Sequence, residues 1–303
     1  METTNIKQID EYLSSLSDKS KHTYRSYSYA IKLFCEKMNI QSWEDIENIT
    51  SADIERYKNI LKKEMSPSTV NTRLRPIEAM FGWFIKPMKY LKENPFVGVE
   101  YLVPSKKVQT VLTDEEKLKI FDGAKTAEDK LILALLLTTG LRREELVNIK
   151  LSDIIDNRYI KIVGKGNKEA LIVLHDDVLR FLPNYLRIRN MSKKSKNNDY
   201  LFPSSHGGHY TGTTIYNRIK KIMERAGFDE NRIKDIHPHS FRHTFTTSLF
   251  DANANAEIIR QAVRHSSITT TMNYAHLSRK ALDNTLLNQK SIFAKPLDKM
   301  RVV

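Results

Sequence analysis

The chain has little of what would staple, export or anchor a protein. Its 303 residues include one cysteine, Cys35. No intrachain disulfide can form and no cysteine-based zinc site fits, which suits a reducing compartment. The opening METTNIKQIDEYL lacks the apolar segment of a secretory signal. The longest apolar run, LILALLL at 131–137, is far shorter than the roughly 20 residues that span a bilayer. A cytoplasmic protein with no membrane partner is the expectation. Internal repeats are absent, and no long stretch alternates apolar with polar residues. A 40% hydrophobic, 28% charged composition excludes wholesale disorder.

Acidic residues are also in short supply. There are 49 Lys and Arg against 36 Asp and Glu, a formal net charge of +13. The imbalance is uneven: residues 1–105 carry 15 basic and 14 acidic side chains, residues 106–303 carry 34 and 22. A basic excess of this size favours a polyanionic partner.

Apolar spacing over the first hundred residues predicts helices. IKQIDEYLSSL opens the series. SKHTYRSYSYAIKLFCEKM follows Ser20 as cap, with Tyr24, Tyr27, Ile31 and Phe34 on one stripe. SADIERYKNILKKEM is expected to start at Ser51 as cap, and SPSTVNTRLRPIEAMFGWFI at Ser66, with Pro67 in its first turn. Pro76 falls inside that last pattern and predicts a kink or break. Residues 1–97 therefore read as a small all-α domain and 98–112 as an extended linker. Residues 113–303 read as a second domain ending in a tail.

The second domain opens with a capping box, Thr113 to Glu116. An apolar segment at 129–139 ends at Gly140. The one β signal is a hairpin, RYIKIV (158–163) and EALIVL (169–174), joined by Gly164-Lys165-Gly166-Asn167-Lys168. Helices are expected at about 176–189, 213–226, 240–250, 255–263, 267–276 and 278–288. The fold class is mainly α with a small β-hairpin.

Five separated pieces of the basic half share cations and imidazoles beside element ends. They are TTGLRREEL (138–146), VGKGNKEA (163–170), HPHSFRHTF (237–245), AVRHSS (262–267) and TTTMNYAHL (269–277). His239 and His243 stand four residues apart, but the HExxH glutamate and a third ligand are missing, so no metal is expected.

Taken in order, these pieces resemble the tyrosine site-specific recombinases, the phage integrase family that includes the Xer-type enzymes. The pattern T-G-(L/M)-R-x-x-E-(L/A) is met by Thr139, Gly140, Leu141, Arg142, Glu145 and Leu146. Gly164–Lys168 meets G-K-G-x-K, and His239, Phe241, Arg242 and His243 meet H-x-(L/F)-R-H. L-G-H-x-S is met in part by His265 and Ser267, and T-T-x-x-Y-x-H by Thr270, Thr271, Tyr274 and His276. Two positions depart. Arg264 replaces a glycine whose backbone freedom arginine lacks, and it adds a cation. Ala170 replaces a common basic residue.

The resemblance implies a SAM-like helical domain and a catalytic tyrosine recombinase domain forming a C-shaped clamp on double-stranded DNA. It implies strand cutting and rejoining through a 3′-phosphotyrosine, with no metal, ATP or other cofactor. Tyr274 is the implied nucleophile. Arg142, Arg242 and His265 would bind the scissile phosphate, matching fixed cations to its growing charge. A phenol with pKa near 10 is only about 0.1% ionised at pH 7, so His239 is the implied proton acceptor. Lys165 would protonate the leaving 5′-oxygen. Glu145 would orient an arginine or histidine.

Lys62, Lys63, Thr69, Arg73 and Arg75, with Ser66, Ser68 and Asn71, form a candidate DNA-contact strip; Lys106, Lys107, Lys168 and Arg264 are further candidates. A homotetramer is expected on paired sites, and a monomer or dimer when free. Leu282, Leu286, Leu287, Ile292 and Phe293 have no later core to join in the sequence, so 280–294 is expected to dock on a neighbouring copy. Two alternatives remain at this point: a DNA-binding accessory protein with a dead centre, and a relaxing enzyme of type IB topoisomerase kind.

Overall fold

In a computed structural model, residues 6–104, 110–163, 169–252, 254–264 and 286–289 are described. The chain divides into two units, Met1–Lys107 and Val108–Val303.

The first unit is built of five helices: α1 (Lys7–Ser15), α2 (Lys21–Met38), α3 (Trp43–Glu47), α4 (Ser51–Glu64) and α5 (Pro67–Ile85). Ser20 and Ser66 cap α2 and α5 as expected, each accepting from the N–H three residues on. The cap of α4 is Thr50, not Ser51. Thr50 and Asp53 form a reciprocal capping box, whereas Ile54, three residues after Ser51, offers nothing to return. Pro76 does not interrupt α5. A proline inside a helix costs about 3 kcal/mol, but Val70, Leu74, Ile77, Phe81 and Phe84 around it are all fully buried. At about 1.5–3 kcal/mol each, that burial outweighs the lost hydrogen bond.

The core of this unit is aromatic. Phe34 meets Tyr57 edge to face at 5.0 Å and Trp43 meets Phe84 at 5.1 Å, the arrangement that ring quadrupoles favour. Residues up to Leu102 lie along the same unit. Lys58 donates to the Glu100 carbonyl at 2.9 Å. Asn71 is turned inward rather than along an outer strip: its amide donates to the Leu102 carbonyl at 2.7 Å and accepts the Leu102 N–H at 3.0 Å.

The second unit opens on α6 (Asp114–Gly123), whose Thr113–Glu116 capping box forms as read from the sequence. Next, α7 (Ala127–Thr139) buries every residue from Leu131 to Thr139. Gly140 then takes φ +58°, and a Cβ there would sit 2.3 Å from the Phe245 ring, so only glycine fits. After α8 (Arg143–Val147) comes an antiparallel sheet of β1 (Ile154–Ile155), β2 (Tyr159–Val163) and β3 (Glu169–Val173). The hairpin register sets Ile160 opposite Ile172. The sequence reading had the hairpin but not β1, which is too short for periodicity. The remaining helices are α9 (Asp176–Asn190), α10 (Gly212–Arg225), α11 (Glu230–Asp235), α12 (Pro238–Asp251) and α13 (Ala256–Val263). Asp129 ties α7 to α10, pairing with Arg218 at 2.5 Å and Arg225 at 3.0 Å.

The helices expected at 267–276 and 278–288 lie outside the described residues apart from 286–289. Those four residues correct one expectation. Leu286 is buried with Val173, Phe245, Leu249, Ile259 and Val263 of its own unit, and Leu287 packs beside it. Gln289 donates its side-chain amide to Ser248, and its carbonyl meets His175 Nε2 at 3.1 Å. These leucines therefore do have a core within the chain. Among the described residues no helix is long and apolar enough to cross a membrane.

Candidate active site

Four side chains from three helices, α8, α12 and α13, converge in the second unit. Arg142 is the N-cap of α8 and Glu145 is its third residue. They make a capping box from an unusual pair: the Arg142 N–H donates to Glu145 Oε2 at 2.8 Å and Arg142 Nη1 donates to Oε1 at 2.7 Å. The spacing R-x-x-E thus fixes the carboxylate against both backbone and guanidinium of one residue. Arg242 lies in α12, 2% exposed, and its Nη1 donates to the Gly140 carbonyl at 2.7 Å. Arg264 closes α13 with φ +53° and ψ 46°. It adopts the left-handed geometry of the glycine it replaces. Its guanidinium turns inward, with the side chain 13% exposed, and donates to Glu145 Oε2 at 2.9 Å.

Two guanidiniums therefore share the Glu145 carboxylate and Arg242 lies within reach of its charge, a formal excess of two positive charges. Burial alone would raise Glu145, but the Arg264 charge and hydrogen bonds from Arg142 and Arg264 outweigh it and hold the carboxyl below its usual range. Burial, then the charges of Arg142 and Arg264, pull Arg242 down to about 9, still well above neutral pH, so it stays a cation. Arg242 Nη2 and Arg264 Nε are buried without a hydrogen-bond partner among the described residues. Buried donors without an acceptor are destabilising by about 1–3 kcal/mol each, more when charged. An oxyanion is the group that would satisfy both the donors and the charge.

His239 sits three residues before Arg242 on α12 and is exposed, so a substrate can reach it. Its ring meets the His243 ring edge to face at 4.6 Å. Partial burial, then His243, Arg242, His237 and Arg142, hold His239 below the usual imidazole value. It is neutral at pH 7 and able to accept a proton. The four-residue spacing of His239 and His243 within a helix signals this neighbourhood in the sequence.

Of the residues singled out by sequence, the structure links Arg142, Glu145, Arg242 and Arg264 through shared hydrogen-bonding groups. Lys165, Lys168, Lys106, Lys107, His265 and Tyr274 lie outside the described residues. Lys62, Lys63 and Arg75 are exposed on the first unit and Thr69 is half-exposed. Arg73 stacks over the Tyr29 ring at 4.6 Å and Arg75 over Tyr101 at 5.8 Å. Sequence reasoning missed the Gly140 carbonyl, which receives Arg242, and the pairing of Arg264 with Glu145. Gly140 was marked as a helix end, but no local pattern says which way a carbonyl points. Among the described residues no group of three or more His, Cys, Asp or Glu could hold a metal ion.

The chain matches the family model described as the phage integrase family over residues 110–281. It matches the phage integrase N-terminal SAM-like domain over residues 6–88. A tyrosine recombinase XerC of Oceanobacillus iheyensis is 28% identical, with 91% of this chain and 92% of that protein covered. A tyrosine recombinase XerD of Rickettsia prowazekii is 29% identical, over 93% of this chain and 96% of its own. Among solved structures, the Tn1549 transposon integrase in complex with circular intermediate DNA aligns with TM-score 0.69 at 21% identity, over 90% of this chain and 96% of that one. A lambda integrase dimer bound to a COC′ core site aligns with TM-score 0.68 at 18% identity, over 86% and 92%. At those identities the likeness to the two structures is one of fold. With more than half of its length matched by one family model and Xer recombinases related over nearly all of it, the chain belongs to the phage integrase family of tyrosine recombinases.

Proposed function

We propose that this site-specific recombinase cuts and rejoins DNA strands through a covalent 3′-phosphotyrosyl intermediate on Tyr274. The observation that carries the reading is the pair Arg142 and Arg242. Both are cations, and among the described residues one carboxylate, Glu145, stands near them and one Arg242 donor is buried without an acceptor. That arrangement suits the non-bridging oxygens of a phosphodiester, whose charge grows in the transition state.

In this mechanism Tyr274 Oη attacks phosphorus, and the 5′-oxygen of the cleaved strand leaves. One bond is exchanged for another of similar energy, so the 5′-hydroxyl of a partner strand can reverse the step. Arg142, Arg242 and His265 neutralise the phosphate. His239, neutral at pH 7, takes the phenolic proton. Lys165 gives a proton to the leaving oxygen. Glu145 positions Arg142. The roles of Lys165, His265 and Tyr274 rest on their motifs.

Double-stranded DNA is the proposed partner. Lys62, Lys63, Thr69, Arg73 and Arg75 contact its backbone from the first unit, and Lys106, Lys107 and Lys168 add phosphate contacts from the rest of the chain. Such contacts position without reading sequence. Four copies assemble on two paired sites, and the free protein is a monomer or dimer.

The test is covalent trapping. Wild type and Tyr274→Phe are incubated in EDTA with nicked duplexes drawn from candidate sites, then denatured. A DNA-linked band in wild type that vanishes in the variant is the expected result. A band that survives in the variant would assign the nucleophile elsewhere, and full dependence on added metal would overturn the chemistry.

A further inference from the structure

The left-handed position at the end of α13 is one that glycine fills with least strain, yet it holds Arg264 at φ +53°. The side chain compensates through its contacts. Arg264 Nη1 donates to the Ala262 carbonyl at 2.8 Å. Its Nη2 reaches Glu145 Oε2 at 2.9 Å and the Gly140 carbonyl at 3.3 Å. The Arg264 carbonyl in turn accepts from Arg142 Nη2 at 3.1 Å. Two of these acceptors also serve the two arginines proposed to hold the phosphate. Glu145 is shared with Arg142, and the Gly140 carbonyl is shared with Arg242. Arg264 is thus bonded to Arg142 directly and to Arg242 through a common acceptor.

We infer that Arg264 is a positioning residue for the phosphodiester-cleavage step: it takes up part of the Glu145 charge and fixes the Arg142 guanidinium through its own carbonyl. The inference rests on the phosphate-binding role proposed for Arg142 and Arg242. A carboxylate bonded to Arg142 competes with a phosphate for that guanidinium. With Arg264 on Oε2, that competition falls and Arg142 keeps one rotamer, so less ordering is left for the bound state. The charged groups facing Glu145 are Arg142 on α8, Arg264 after α13 and Arg242 on α12. Arg264 acts inside the protein, and this differs from the sequence expectation of a DNA contact.

The experiment compares wild type, Arg264→Gly and Arg264→Lys. Glycine suits the backbone angle, so the first variant is expected to melt no lower than about the wild-type temperature. Two readouts are taken. In the DNA-free protein, the Glu145 carboxyl is titrated by carbon NMR. Its midpoint should move up in Arg264→Gly, which lacks the guanidinium 2.9 Å from Oε2, and return toward wild type in Arg264→Lys. On a nicked duplex, Arg264→Gly should slow single-turnover adduct formation about 10–100-fold, the range seen when an outer supporting partner is removed. Duplex affinity should stay within about threefold, and Arg264→Lys should recover part of the rate.

An unmoved Glu145 midpoint would overturn the inference. So would a fall in affinity as large as the fall in rate, which would make Arg264 a DNA contact instead. Should wild type form no adduct, the recombinase chemistry falls, and the titration still decides whether Arg264 holds Glu145.

Discussion

The two units bury polar groups to different ends. In the first, the Tyr57 hydroxyl and Arg73 Nε are buried with no hydrogen-bond partner among the described residues, while the buried side chains of Lys58 and Asn71 are spent on the backbone of residues 100–102. Their hydrogen bonds close the unit on itself. In the second, among the described residues, buried Arg242 keeps a donor without a partner, and three guanidiniums stand around the one carboxylate of Glu145. The first arrangement stabilises. The second leaves charge unbalanced in a place where a well-packed hydrophobic group would do better for stability. The difference separates a scaffold from a site: polar burial answered by the backbone holds a fold, and clustered cations left short of counter-charge point to what binds there.

Both tryptophans, Trp43 and Trp83, lie in the first unit, so tryptophan emission reports that unit while far-ultraviolet dichroism reports the whole chain. Glu145→Ala strips Arg142 and Arg264 of the buried carboxylate they share and leaves Arg242 beside them with no counter-charge among the described residues. Breaking a buried pair in this way costs about 3–5 kcal/mol, and the larger shift is expected in the dichroism midpoint. A midpoint unmoved in urea would mean the cations are better solvated than the structure gives. Asn71→Ala leaves the Leu102 N–H and carbonyl without their partner. A loss of about 1–3 kcal/mol is expected, read by emission, with adduct formation per folded molecule unchanged. An equal loss of adduct would erase the division between scaffold and site.

The smallest effect is one of pH. His239 is held below the usual imidazole value near 6.5. A depressed value keeps the folded protein neutral there, so its function as proton acceptor is complete at pH 7 and is lost as pH falls through a midpoint below 6.5. The acid limb of adduct formation should show that midpoint and should be weakened in His239→Gln. A midpoint above 7 would contradict the depressed value.

Much of the scaffold could be read from local spacing. Thr113 and Glu116 announce α6 because both halves of the capping box lie within four residues. The hairpin around 164–168 is signalled by β-branched runs on either side of two glycines. Thr50 was equally legible through Asp53, and choosing Ser51 ignored the returning carboxylate. Pro76 misled because a local rule was outweighed by the burial of Leu74, Ile77 and Phe81. Elements of five or six residues, α3 and α11, and the two-residue β1 carry too few positions for any period to register. In the site, Arg142, Glu145, His239 and Arg242 stood out only through their joint order along the chain. The pairing of Arg264 with Glu145 spans 119 residues and depends on α13 bringing its end beside α8, which no pattern in the sequence encodes.

The unbalanced charge is tested most directly on one variant measured in two ways. Arg242→Gln removes the cation and keeps a hydrogen-bond donor for the Gly140 carbonyl. Single-turnover adduct formation in EDTA and the thermal midpoint are recorded on the same preparations of wild type and variant. The expected result is a rate lower by about 10²–10³-fold, the usual effect of losing one donor to a developing oxyanion, with a midpoint unchanged or higher. A rate within a few-fold of wild type, or a midpoint that drops sharply as the rate falls, would make Arg242 a structural cation and contradict the assignment of this cluster to phosphate.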